Sequence, residues 1–331
     1  MNKHVVMSGM RPTGRLHMGN MMGALTNWVK LQDDYDCYFV VVDWHALTTE
    51  YGNTQEIKEN IRQMVIDWIS VGLNPEKCNI FVQSQVKQHA ELHLLFSMIT
   101  PLSWLERCPT YKEQLKQLES KEINTYGFLG YPVLMATDIL VYKADRVPVG
   151  KDQQPHIELT RELAREIARR FNYLYKPVFP EPEAIYNEFM VLPGIDGRKM
   201  SKSYDNHIEI SASPETIMAK VRMMITDPAK IRKNDPGHPE ICNVFAFYKV
   251  FDQKDNVAEL KEVCEKGQIG CVECKKKLAS LIINKMEPIH QKRRELEKDP
   301  DIIDDILDSG AKRARMVAER TLEEVREAMK I

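Results

Sequence analysis

Along the N-terminal part of the chain, short apolar runs alternate with longer stretches whose apolar residues recur every three or four positions. Residues 4–7 read as a strand, residues 8–15 as a loop carrying Gly9, Pro12 and Gly14, and residues from about 18 to 31 as a helix. Residues 37–43 form a second, buried strand. In the stretch 55–71, Ile57 is followed by Ile61, Met64, Val65, Trp68 and Ile69 at offsets 4, 7, 8, 11 and 12, one face of a helix that Gly72 closes. A third strand is expected at 80–83. Such alternation predicts a parallel sheet with right-handed crossovers, whose ligand site lies beyond the carboxyl ends of the strands. The loop at 8–15 stands at one such end.

A mixed, mostly helical stretch at 90–142 interrupts the alternation before a short strand at 146–150 and a long helix at about 153–171. It reads as an insertion joining two halves of a nucleotide-binding domain. Past the Pro-containing segment 176–182 and the polar loop 194–206, helical stripes dominate. The expected fold is α/β: a Rossmann-like parallel-sheet domain over 1–209 and an α-helical domain over 210–331.

Composition removes several classes of protein. The 331 residues carry 46 Lys and Arg against 48 Asp and Glu, a net charge of −2, so any polyanion site must be a local patch. The apolar run 38–42 is far shorter than the roughly 20 residues needed to span a bilayer, and the first residues contain no apolar segment of signal-peptide length. A soluble, cytoplasmic protein without membrane association is expected. Seven cysteines, an odd number, argue against a secreted disulfide framework.

Two segments carry candidate nucleotide chemistry. Around residues 11–20 a strand-to-helix turn sets His17 and Asn20 near a helix start, where negative charge is stabilised, and Gly19 where a nucleotide ring could lie against backbone. An ordinary turn and helix cap would read alike. Much later, Gly194 and Gly197 precede Lys199-Met200-Ser201-Lys202-Ser203. Lysines on such a loop can neutralise a leaving pyrophosphate more strongly in the transition state than in the ground state. The plain alternative is a solvated basic turn.

His17-Met18-Gly19-Asn20 and Lys199-Met200-Ser201-Lys202-Ser203 resemble the two signatures of class I aminoacyl-tRNA synthetases, and the whole chain is similar to the tryptophanyl-tRNA synthetase family. Residues 41–48, 131–140 and 147–161 carry the resemblance further. It implies activation of L-tryptophan with ATP and transfer to tRNA(Trp). It places Arg11, Thr13, His17, Gly19, Asn20, Asp152 and Met200 around ATP, with Met200 near the adenine and Asp152 near the ribose. Lys112, Lys199 and Lys202 would act on the phosphates, with Asn20 as a fourth catalytic group and Mg²⁺ bridging phosphates. Asn20 stands where the general pattern has His, and Arg11 where many tryptophan enzymes have Gln.

The same resemblance implies a tryptophan pocket lined by Met7, His45, Val147 and Val149. Met135 would pack on the indole, Asp138 would accept its N–H, and Tyr131 and Gln153 would hold the ammonium and carboxylate. The residues give partial support of their own. Tyr131, Met135 and Asp138, at offsets 0, 4 and 7, share one helical face. Core packing explains the first two but leaves a buried carboxylate with no evident partner, which an indole N–H would supply. Tyrosyl-tRNA synthetase is the rival; its bacterial pattern has Gln at the position of Met135, and a thioether reads a phenol poorly. A catalytically inactive, synthetase-like RNA-binding protein is the other alternative, against which intact Lys199, Lys202, Asp138 and Gln153 argue.

Cys37, Cys78 and Cys108 read as small core residues. Cys242, Cys264, Cys271 and Cys274, separated by 22, 7 and 3 positions, could hold Zn²⁺ or a [4Fe-4S] cluster, with buried free thiols as the plain alternative. The spacing resembles that of a subset of bacterial tryptophanyl-tRNA synthetases with a C-terminal [4Fe-4S] cluster, which favours iron and sulfur over zinc. Lys275, Lys276 and Lys277, with Lys292, Arg293 and Arg294, offer a local cationic surface for tRNA or else a solvated helix face balanced by Glu. The family assigns this domain to the anticodon end and implies a homodimer formed through residues 90–142.

Overall fold

The computed structural model describes residues 3–106, 124–150, 154–187, 192–252 and 254–331, with the side chains of 150, 154–160, 187 and 203 set aside. The chain divides into two compact units, one made of Met1–Gly14, Trp28–Glu188 and Asp299–Ile331, the other of Arg15–Asn27 and Phe189–Lys298.

The first unit is built on a parallel sheet in the order β3-β2-β1-β4-β5. The strands are β1 (Val5–Met10), β2 (Asp36–Val41), β3 (Cys78–Val82), β4 (Arg146–Gly150) and β5 (Glu183–Asn187). Every residue of β3, and every residue of β2 after Asp36, is buried, as strands covered on both faces must be. The order reverses between β1 and β4, and the crevice beyond their carboxyl ends is where a parallel sheet takes its ligand. Helix Ile57–Val71 ends at Gly72, whose φ of 127° suits glycine and whose N–H closes on the carbonyls of Ile69 and Trp68. Trp68 meets Trp28 edge-on at 5.1 Å, and Trp28 stacks on Phe39 of β2 at 4.6 Å, which fixes that helix to the sheet.

Helix Asp301–Met329 also belongs to the first unit, so the division differs from the boundary expected at residue 210. Small residues explain the difference. A Cβ on Gly310 would stand 1.9 Å from the Ile80 carbonyl oxygen, so the helix backbone packs directly on β3, the edge strand. Ala311, Ala314, Ala318, Leu322 and Val325 share one core with Tyr38, Phe81 and Tyr142. Arg313 donates to Asn79 Oδ1 at 2.8 Å, and Arg326 grips both oxygens of Glu91 at 2.8 Å.

The second unit is helical, with Pro214–Met223, Asn243–Phe251, Lys254–Glu265 and Cys271–Glu297. Ser213 caps the first of these from the Thr216 N–H, with Pro214 in its first turn. Ile217, Val221, Phe247, Leu278, Ile282 and Met286 are buried, and His290 Nε2 bonds the Ile210 carbonyl at 2.8 Å. The helix expected at 18–31 is broken: Met18–Asn20 gives way to a π-turn, Met21–Leu25, before Thr26–Asp34. Among the described residues no helix is long and apolar enough to cross a membrane.

Candidate active site

Asp138 lies in helix Tyr126–Leu140 and is 2% exposed. Its Oδ2 is 2.9 Å from His45 Nε2; its Oδ1 accepts from Gln83 Nε2 at 2.7 Å and lies 2.6 Å from His89 Nδ1. His45 sits in helix Asp43–Glu50, just past β2, and Gln83 opens the turn just past β3, so the carboxyl edge of the sheet delivers both. Burial pushes the Asp138 carboxyl up, but the hydrogen bonds from His45 and His89 outweigh it and hold the pKa at about 2. The expectation that Asp138 would lack a partner is therefore corrected: the protein supplies three. A carboxylate offers about four acceptor directions, and with two taken on Oδ1 and one on Oδ2, a direction on Oδ2 is left for a further donor.

Of the other expected tryptophan residues that are described, Tyr131 and Met135 lie on this same helix, His45 on helix Asp43–Glu50, and Met7, Val147 and Val149 on strands of the sheet. Met7 on β1 and Val147 on β4 are buried in the same core as Tyr38 and Tyr142, and Val149, two positions on, faces the same side of β4 and is fully buried. Tyr131 is 9% exposed, its ring 5.5 Å from that of Phe128, while Met135 is half-buried. Gln153 lies outside the described residues. A cavity of about 410 Å³ in this unit is lined by Trp44, Tyr51, His93, Thr125, Gly130 and Leu134 among others, and by none of the expected tryptophan residues. Gln83, His89 and Tyr142 were not anticipated; a polar residue at the end of a strand run was the only signal for Gln83.

In the second unit the two signatures meet. His17 Nδ1 accepts from the Asn20 N–H at 3.2 Å while Asn20 Oδ1 accepts from the His17 N–H at 3.0 Å, a reciprocal cap. Burial foremost, then the charges of Lys202, His207 and Lys199, lower the His17 imidazole to about 4. At neutral pH the ring is uncharged, accepts at Nδ1 and so carries its proton on Nε2 as a donor. The Met18 N–H bonds the Ile208 carbonyl at 2.8 Å and the Ile210 N–H bonds the Leu16 carbonyl at 2.9 Å, lacing the first signature to the segment after the second. The Gly19 N–H reaches Met200 Sδ at 3.3 Å. A Cβ there would stand 3.0 Å from the His17 ring and 3.4 Å from Met200 Cβ, so a side chain at 19 would crowd the His17 ring while only touching Met200.

Met200 is buried, Lys199 exposed and Lys202 half-buried. What shapes their loop is Asn206, 1% exposed, another residue the sequence reading missed. Its amide donates to the Lys199 carbonyl at 3.0 Å and to Asp196 Oδ1 at 2.7 Å, and its Oδ1 accepts from the Ser201 N–H at 2.8 Å. A Cβ on Gly194 would fall 2.3 Å from that amide. Thr13 and Arg11 lie in the exposed loop after β1, where the Thr13 N–H bonds the Arg11 carbonyl at 2.9 Å. Lys112 and Asp152 lie outside the described residues.

Cys37 and Cys78 face each other in register on β2 and β3, and burial pushes both thiols up to about 12, as inert core cysteines. Cys108 lies outside the described residues. Cys242, Cys264, Cys271 and Cys274 are free and half-buried. Burial, then the other three thiols, push Cys274 up to about 12, and Cys264 is raised by burial and by Cys242 and Cys271. The four share one electrostatic neighbourhood, a donor set whose ionisation a cationic centre would relieve. Among the described residues, however, no three His, Cys, Asp or Glu side chains stand placed to hold a metal ion. The nearby cations are largely spoken for: Lys277 pairs with Glu273, Lys292 with Glu295, Arg293 with Glu297 and Arg294 with Glu287, all on helix Cys271–Glu297.

The parallel sheet followed by a helical unit is the fold of a class I synthetase. The chain belongs to the class I tRNA synthetases of the W and Y group, whose family model matches residues 1–286. Within that family, the tryptophan–tRNA ligase of Thermotoga maritima is 52% identical over 98% of this chain and 99% of its own. That of Aquifex aeolicus is 45% identical over 98% and 99%. The crystal structure of tryptophanyl-tRNA synthetase from Campylobacter jejuni, complexed with ADP and tryptophan, superimposes with a TM-score of 0.89 at 34% identity, covering 99% of this chain and 100% of that one.

Proposed function

We propose that this chain is a tryptophan–tRNA ligase, which activates L-tryptophan with ATP to tryptophanyl-adenylate and then transfers tryptophan to tRNA(Trp). The observation that carries the reading is the buried, ionised Asp138, with an acceptor direction left on Oδ2 that suits an indole N–H. The tryptophan–tRNA ligases at 52% and 45% identity support it.

In the activation step the substrate carboxylate oxygen bonds the α-phosphorus as the bond to pyrophosphate breaks. Such a displacement needs alignment and charge neutralisation and no covalent enzyme intermediate. Lys199 and Lys202, with Lys112, neutralise the departing pyrophosphate, while His17 donates from Nε2 and Asn20 from its amide. Arg11, Thr13, Gly19, Met200 and Asp152 hold the nucleotide. Met7, His45, Val147, Val149 and Met135 shape the indole pocket, with Tyr131 and Gln153 on the ammonium and carboxylate. Mg²⁺, when bound, supplies further positive charge to the phosphates. The helical unit takes the anticodon end of the tRNA, residues 90–142 form the contact of a homodimer, and the reaction runs in the cytoplasm.

Amino-acid-dependent pyrophosphate exchange, with the twenty amino acids tested in parallel, decides the substrate. Exchange with tryptophan and little with tyrosine is expected. Equal or greater exchange with tyrosine would make it a tyrosine enzyme, and none with any amino acid would mean catalysis is lost. In the same reading Cys242, Cys264, Cys271 and Cys274 hold a structural [4Fe-4S] cluster. Anaerobic purification then yields a brown protein with about four irons and four sulfides per chain. A colourless protein with one zinc, or no metal after anaerobic reconstitution, defeats the cluster and leaves the ligase assignment standing.

A further inference from the structure

The hydrogen bonds around Asp138 continue through His89 to a second buried group, Tyr142. An ionised carboxylate only accepts, so His89 Nδ1, 2.6 Å from Oδ1, carries a proton and donates it, and the arrangement proposed below takes the tautomer in which that is the ring's one proton. Its Nε2 then accepts, and the hydroxyl of Tyr142, 2.6 Å away, is the donor. All three groups are buried, with His89 at 0% and Tyr142 at 2% exposure. The Tyr142 ring cannot drift: it stacks on Tyr38 at 4.4 Å and meets Phe81 edge-on at 5.6 Å. Gln83 adds a second donor to Oδ1, and its amide keeps that orientation although its own Oε1 is buried with no hydrogen-bond partner. Turning the amide would set that oxygen against the carboxylate, so the repulsion outweighs the orphaned acceptor.

We propose that Tyr142, His89 and Gln83 are positioning residues for substrate selection. Tyr142 orients His89, and His89 and Gln83 together saturate Oδ1, so that Oδ2 alone is presented to the indole N–H of the amino acid. The proposal rests on the tryptophan reading of Asp138. Its chemical consequence is that the chain Tyr142–His89–Asp138 acts on the N–H of the substrate and on no other part of it. Helix Gln88–Ile99 brings His89 into place, and on either side of His89 that helix is tied to the C-terminal helix, Gln88 to Glu319 and Glu91 to Arg326.

The test compares tryptophan with its sulfur analogue, 3-benzothienylalanine, which keeps the ring shape and lacks the N–H. The readout is the ratio of kcat/KM for the two in pyrophosphate exchange by the full-length enzyme. Tyr142→Phe keeps the stacked ring and removes only the hydroxyl. It should lower kcat/KM for tryptophan by about tenfold while leaving the analogue within about twofold, so the ratio falls. His89→Asn, whose amide can still donate to Oδ1, should hold the ratio near the wild-type value, whereas His89→Leu should lose it. Thermal unfolding confirms that each variant is folded; should Tyr142→Phe not fold, the His89→Asn and His89→Leu pair carries the test alone. An equal loss with both substrates, or an unchanged ratio in Tyr142→Phe and His89→Leu, would show a merely structural role and overturn the proposal. A wild-type enzyme that does not favour tryptophan over its analogue would instead sink the reading of Asp138 itself.

Discussion

The proposed amino-acid pocket of the first unit and the proposed phosphate-binding lysine loop of the second are built in opposite ways. Asp138 is 2% exposed and its carboxylate is fixed by His45, His89 and Gln83, themselves buried. Lys199 is exposed, and its loop is shaped by the buried amides of Asn206 and Asn243, the latter donating to the Gly194 carbonyl at 2.7 Å, and by the inward side chain of Met200. A group that must discriminate between substrates gains from low dielectric and fixed geometry, because a competitor then leaves buried polar atoms unpaired. Groups that neutralise a polyanion act through charge, which tolerates looser geometry and must meet a ligand that arrives with its water. Burying two lysines as deeply as Asp138 would cost more than the phosphates return in the ground state.

Asp138→Ala is the harshest way to break this contrast. It would strand three buried donors, and we expect a loss of about 3–5 kcal/mol in unfolding free energy, together with about 1–3 kcal/mol of tryptophan discrimination. Urea unfolding followed by intrinsic fluorescence reads the first effect cleanly, since all four tryptophans belong to the first unit. The carboxyl is held at about 2 against an ordinary 3.8, so the stability it lends is complete above pH 4 and is lost as the pH falls toward 2. Wild type and Asp138→Asn should accordingly converge in stability at the acid end. An Asp138→Ala variant as stable as wild type would mean that the network is decorative.

Gly310→Ala asks whether the rigidity of the first unit depends on its C-terminal helix. A Cβ 1.9 Å from the Ile80 oxygen must push helix and strand apart, at a cost of about 3 kcal/mol in the same fluorescence-detected unfolding. An unshifted midpoint would place the helix elsewhere.

Lys202→Ala probes the other side of the contrast. It should lower kcat for adenylate formation by about a hundredfold with the KM for tryptophan nearly unchanged, because its charge is matched to pyrophosphate as it leaves. A defect confined to KM would contradict that role. Lys199→Ala acts in the same direction, and the two losses need not add, since both lysines sit on one loop.

How far the sequence revealed these sites follows from the range of the interactions. The sheet was legible because each buried strand is a local run, and β4 falls at the very residues expected, 146–150. β5, no shorter than β3 or β4, was hidden by its polar ends, Glu183 and Asn187, and by the prolines before it. The amphipathic pattern of Asp301–Met329 announced a helix but not its partner; Gly310, Ala311, Ala314 and Ala318 were the readable sign of a close approach, and were passed over. The network on Asp138 joins residues 93, 55 and 49 positions away, and no periodicity connects such distances. His17 and Asn20, three apart, were visible as a pair, while the bridge from Gly19 to Met200 spans 181 positions and was not anticipated, the resemblance placing each of the two only around ATP.

The mildest expected effect concerns His17, among the described residues the one titratable group of the proposed nucleotide site that is buried. Its imidazole is lowered from 6.5 to about 4, first by burial and then by Lys202, His207 and Lys199. Between those values the unfolded chain binds a proton that the folded unit refuses, so lowering the pH from 7.5 to 5.5 should cost about 1 kcal/mol of stability through this residue. Below about pH 4 both states are protonated and the loss levels off; above pH 7 it vanishes. The comparison with His17→Asn isolates the contribution, because Asn caps the same helix without titrating. NMR titration of the His17 ring provides the direct reading: it should remain neutral, with its proton on Nε2, throughout the range 5 to 8. A ring that titrates near 6.5 would show that His17 is solvated rather than buried, since burial is the foremost cause of the lowering.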